Sequence, residues 1–168
     1  MTGDPLAQPH AKCRQVGVGD IVVSKNAKDL LTTHGPVGSC VAVYLWEPES
    51  RVGGLLYFEF PDSKLDPRRA EAQPAVFADT GVLQLFERAG LLGATKGRCR
   101  VRLVGGADVQ DRAESDRWAK RNILAARSVL WRSGIFLEGE EVGGTKARKA
   151  TLSVSDGQLS VVLDESVT

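Results

Sequence analysis

The stretch Cys40-Val41-Ala42-Val43-Tyr44-Leu45-Trp46 decides the fold class. It is apolar throughout and rich in β-branched and aromatic side chains. It is too short to stand as a free helix, so it reads as a buried strand. Glu47 to Ser50 carries a proline between polar residues and reads as a turn. Val52 to Phe60 (VGGLLYFEF) is a second apolar run, which makes a hairpin with the first. Upstream, Val16, Val18, Ile21 and Val23 suit a strand pair around Gly19-Asp20. Asn26 to Ser39 is polar, contains Gly35 and Pro36, and reads as a loop that delivers the chain to Cys40.

Downstream of the hairpin, Pro61 to Pro74 reads as an exposed loop. Ala75 to Ala89 has apolar residues three to four apart, which is helical spacing, with Gly90 as its stop. Arg98 to Val104 alternates charged and apolar residues, as a half-buried strand does, and Gly105-Gly106 are read as turn glycines. A second helix is predicted over Asp116 to Arg132 with Ser115 as its N-cap. Strands follow at Ile135 to Val142, Ala150 to Val154 and Leu159 to Leu163, the last two joined at Asp156-Gly157. About seven strands and two main helices imply an α/β sandwich, with a mixed or antiparallel sheet layered by helices. Residues 1–14 are expected to be a flexible arm and 15–165 a single domain.

The chain has 168 residues, 42% hydrophobic and 26% charged, enough to bury a core. A formal net charge of +1 gives no reason to expect nucleic acid or an acidic membrane as partner. No apolar run reaches the ~18 residues needed to span a bilayer, and the polar start lacks a secretory signal, so a cytoplasmic protein is expected. Three cysteines without CxxC spacing argue against a disulfide framework and a zinc site, and two histidines are too few for a His-based metal site.

Gly38-Ser39-Cys40 is the stretch most suited to chemistry. Two small residues ahead of a thiol let a substrate backbone approach and leave amide N–H groups free to bind an oxyanion. A thiolate there could attack a carboxamide, release ammonia and leave a thioester for water to hydrolyse. A buried structural cysteine is the competing reading. Lys146, Arg148 and Lys149 read as a solvated strand end.

Gly38-Ser39-Cys40-Val41-Ala42-Val43 resembles the GSCVAV motif of the chemoreceptor glutamine deamidase family CheD. Further features fall in that family's order: Gly53-Gly54 with Phe60-Pro61, Phe77-Ala78-Asp79, Val104-Gly105-Gly106-Ala107, Arg121-Asn122, Ser133-Gly134-Ile135, Val142-Gly143-Gly144 and Arg148-Lys149. The resemblance implies a CheD-like fold and deamidation of glutamines on the cytoplasmic region of chemoreceptors, in chemotaxis. It also implies a CheC-like phosphatase as a further partner, no cofactor, and no insertion into the membrane. Cys40 takes the nucleophile's place, and Gly38 and Ser39 flank the oxyanion site.

The family's catalytic histidine is expected seventeen residues after the cysteine, and that position is Tyr57. Gly53-Gly54 and Pro61 fix the register on both sides. The family's threonine is expected six residues ahead of the cysteine, where His34 stands; Thr33 takes that role if the loop carries one extra residue at Pro36. A tyrosine supplies no positive charge to a thiol, so His34 becomes the first candidate for proton handling, ahead of Tyr57. Two readings stay open: a cysteine deamidase, or a scaffold of the same fold that grips receptors or a CheC-like phosphatase without deamidating.

Overall fold

The computed structural model describes residues 11–109 and 113–165, with side chains from 117 onward in the second segment. Among the described residues nine strands form two sheets: β1 Lys12–Val16, β2 Asp20–Ser24, β3 Asp29–Thr33, β4 Val41–Glu47, β5 Val52–Phe58, β6 Arg100–Gly105, β7 Leu137–Val142, β8 Arg148–Ser153 and β9 Leu159–Leu163. The α-helices among the described residues are α1 Pro67–Ala72, α2 Ala78–Leu91 and α3 Ala113–Arg132. The larger sheet has the order β2-β5-β4-β6-β7 and the smaller one β1-β3-β8-β9.

The two sheets mix antiparallel and parallel pairs; β1 pairs β3 and β6 pairs β7 in parallel. This is the α/β sandwich expected, with the strands divided between two sheets. β4 and β5 lie in the middle of the stack, and their side-chain alternation builds both cores. Val41, Val43, Leu45, Leu56 and Phe58 face α2 and α3, packing with Val82, Leu85, Ile123 and Leu130. Ala42, Tyr44, Leu55 and Tyr57 face the smaller sheet, packing with Leu31, Ala150, Leu152 and Val154. Both faces of β4 are covered, which is why its sequence is apolar without alternation.

Several expectations are corrected. Asp29–Thr33 is a fully buried strand, not part of a loop, because β1 and β8 take up its backbone groups on either side. β1 opens at Lys12, inside the stretch read as an arm; the arm expectation for residues 1–10 lies outside the described residues. Pro67–Ala72, expected in a loop, is a short helix with Asp66 accepting from the Arg69 N–H as its cap. α3 begins at Ala113, so Ser115 lies within the helix and not before it. Among the described residues no helix is long and apolar enough to cross a membrane.

The β4–β5 turn is held by one buried carboxylate. Glu47 is 0% exposed. It accepts from the Glu49 N–H at 3.1 Å, the Ser50 N–H at 2.9 Å, the Ser50 hydroxyl and Arg98 Nε at 3.0 Å. Burial by itself would raise this carboxyl; the bonds from Arg98, Ser50 and Glu49 outweigh it and hold it down at about 2. A carboxyl depressed on folding adds stability in full above its unfolded value of about 4.3 and loses it as the pH falls toward the folded value. Glu47→Gln is therefore expected to lower stability by about 2–3 kcal/mol at pH 7. Urea denaturation should show the gap to wild type closing as the pH falls from about 4 to about 2.

Candidate active site

Cys40 stands where the loop enters β4, and the backbone around it is bonded on several sides. Its carbonyl accepts from the Gly106 N–H at 2.8 Å, and the Gly38 carbonyl from the Ala107 N–H at 2.8 Å. Val37 exchanges backbone bonds with Arg148 at 2.7 and 3.1 Å. The Arg148 guanidinium donates to the Gly143 carbonyl at 2.8 Å, and Gly143 N–H donates to the Gly105 carbonyl at 3.0 Å. The two glycine pairs and Arg148 thus form one frame around residues 37–40. Gly105-Gly106 are more than turn glycines: their φ angles are 118° and 62°, in the left-handed region. A Cβ on Gly105 would meet the Cys40 carbonyl oxygen at 2.5 Å. Arg148 likewise belongs to this frame and is not only a solvated strand end.

Asn122 closes the frame from α3. It is 0% exposed. Its Nδ2 donates to the Ser39 carbonyl at 3.1 Å and to the Glu59 carbonyl at 2.8 Å, joining the loop before Cys40 to the chain just past β5.

Tyr57 pairs with Ala42 across the β4–β5 ladder and lies 5% exposed in the inter-sheet core, against which Cys40 also packs. The structure therefore brings Cys40 and Tyr57 into one cluster. Burial, chiefly, and the Glu59 charge push the Cys40 thiol up to about 12, with its own backbone N–H easing it. Burial also raises the Tyr57 phenol, with Cys40 and Glu59 adding to it. At neutral pH the pair is a thiol beside a phenol that can donate a hydrogen bond.

Thr33 is buried at the end of β3, and its hydroxyl donates to the Gly35 carbonyl at 2.8 Å. Tyr44, whose phenol is raised by burial and by Tyr57, donates instead to the Ala150 carbonyl at 2.7 Å. The Thr33 hydroxyl is thus spent within its own loop and not on Cys40 or Tyr57. His34 is exposed, and its Nδ1 lies 3.0 Å from the Gln15 amide oxygen. The charge acting on the Cys40 thiol comes instead from Glu59, which in the sequence is no more than the polar end of a strand. The one signal for it is its place, two residues past Tyr57 on the same strand face. Cys13, Cys40 and Cys99 are free thiols, and among the described residues no cluster of His, Cys, Asp and Glu could hold a metal ion.

The chain matches the family model described as CheD chemotactic sensory transduction over residues 60–162. It is 38% identical over 146 residues to the "Probable chemoreceptor glutamine deamidase CheD 1" of Syntrophus aciditrophicus, covering 87% of this chain and 91% of the relative. It is 39% identical over 144 residues to the corresponding protein of Solibacter usitatus, covering 86% and 85%. It is 35% identical over 147 residues to that of Pyrococcus abyssi, covering 86% and 88%. With 146 of 168 residues aligned in the first comparison, residues 33 to 59 lie inside the aligned stretch. A family match over most of the chain and this level of identity across nearly whole relatives place the chain in the CheD family.

Proposed function

We propose that this protein deamidates glutamine side chains in the cytoplasmic region of chemoreceptors, with Cys40 as the nucleophile. The thiol attacks the carboxamide carbon, ammonia leaves, and water hydrolyses the thioester to a glutamate. Oxyanion stabilisation falls to the backbone at Ser39–Cys40 and to the Tyr57 phenol. The observation that carries this reading is the frame of Gly105-Gly106, Arg148 and Asn122 around one thiol at the head of β4. Relatives of similar length bear the name chemoreceptor glutamine deamidase. The protein's place of action is the cytoplasm, where such receptor segments lie.

A second reading is favoured by one observation: the thiol is pushed up to about 12 and the charge beside it is a carboxylate. On that reading the protein is a scaffold that holds receptors, or a CheC-like phosphatase, without deamidating them. Mass spectrometry of a receptor cytoplasmic fragment incubated with the protein separates the two. The deamidase reading expects the mass gain of amide-to-acid conversion with wild type and none with Cys40→Ser. Receptor binding without any mass gain would establish the scaffold.

A further inference from the structure

The β4–β5 ladder pairs Val41 with Phe58 at its open end, so the next residues outward are Cys40 and Glu59. Val41 and Phe58 face the helices, while Ala42 and Tyr57 face the smaller sheet. Alternation therefore turns Cys40 and Glu59 toward the Tyr57 side, across from each other. Asn122 fixes this from behind, where the two strands part: one amide nitrogen holds both the Ser39 and the Glu59 carbonyl. Its Oδ1 is buried with no hydrogen-bond partner among the described residues. An unpaired buried oxygen costs about 1–3 kcal/mol, a cost borne here by the residue whose amide nitrogen holds both carbonyls. Glu59 itself is half-buried, with the Arg69 guanidinium at 3.4 Å.

We propose that Glu59 is the proton acceptor for Cys40, in the role an imidazole would otherwise fill, and that Asn122 is the positioning residue that holds the two in register. The proposal rests on the deamidase reading above. As Sγ bonds to the carboxamide carbon, the thiol proton passes to the Glu59 carboxylate. The C–N bond then breaks, and Glu59 returns that proton to the leaving nitrogen, which departs as ammonia. Water attacks the thioester and gives a proton to Glu59. The C–S bond breaks, and the sulfur recovers the proton, leaving a free carboxylic acid. The sulfur so never stands as a free thiolate: proton transfer accompanies bond formation. Glu59's negative charge, which disfavours a standing thiolate, suits that order of events.

Glu59→Gln tests the assignment by moving two measurements in opposite directions. Removing the charge enlarges the thiolate population, so iodoacetamide should label Cys40 faster at pH 8 than in wild type. Removing the base should lower receptor-fragment deamidation by ~10²-fold or more, with Glu59→Asp retaining part of it. Asn122→Ala should lower kcat ~10-fold with KM little changed, because the reacting pair loses alignment and not substrate contact. Deamidation equal to or faster than wild type in Glu59→Gln overturns the proposal and leaves a Cys40 deamidase standing; so does unchanged alkylation. A wild type that releases no ammonia from the receptor overturns the deamidase reading and this proposal with it.

Discussion

Tyr57→His is expected to raise the rate of receptor-glutamine deamidation by ~10²-fold or more, the scale that a positioned imidazole contributes as acid and base. Position 57 lies on β5 beside Ala42, in the cluster that Cys40 packs against. With the thiol pushed up to about 12, it stands almost wholly as the neutral thiol at pH 7, and every unit of lowering multiplies the thiolate fraction tenfold. An imidazolium at position 57 attracts the thiolate and is itself attracted by Glu59, so both charges that a Cys–His pair needs gain a partner. Iodoacetamide labelling of Cys40 at pH 7 should accelerate together with deamidation. The smaller ring leaves space where the phenol packs, so a loss of about 1–2 kcal/mol in stability is expected alongside. Equal deamidation and equal labelling in the variant would show that position 57 does not reach the reacting atoms.

The parts of this fold that are legible in the sequence are those whose signal is local. β4 and β5 announce themselves as apolar runs on either side of a Pro-bearing turn, and both long helices by apolar spacing; Gly134 does close α3, but Gly90, expected as the stop of α2, lies inside that helix, which runs to Leu91. β3 is not legible. Asp29–Thr33 is five residues with two threonines and an aspartate, and its burial depends on β1 and on β8, more than a hundred residues later. Missing it turns two sheets into one. The site divides the same way. Cys40 is visible from its small neighbours and its motif. Glu59 is visible only as the next residue on the Tyr57 face, and it is the pairing of Val41 with Phe58 that puts it one step beyond the ladder, opposite the head of β4. Asn122 counts in the sequence as one residue of a helix face, while its hydrogen bonds reach residues 83 and 63 positions earlier. His34 is close to Cys40 along the chain, yet its ring is turned to Gln15, since β3 ends in the smaller sheet beside β1.

Gly105→Ala is expected to cost about 3–5 kcal/mol, at the upper end of what one methyl group can do. Two effects add. The backbone at Gly105 has a φ of 118°, a conformation that holds a Cβ only at a cost of about 1–3 kcal/mol. The new Cβ would also press on the Val37 side chain and sit 2.5 Å from the Cys40 carbonyl oxygen. A side chain can turn away, but that oxygen is fixed by the Gly106 N–H at 2.8 Å, so the nucleophile's own backbone must move. Deamidation should therefore fall further than the unfolded fraction explains, measured well below the urea midpoint. Gly90→Ala serves as the contrast. Gly90 lies in α2, where an added methyl group would meet nothing within 4 Å, and alanine there should stabilise by up to about 1 kcal/mol through helix propensity. A Gly105→Ala protein within about 1 kcal/mol of wild type would mean that the frame around Cys40 yields to a methyl group. The close approach of β6 to the thiol's backbone would then not be what positions it.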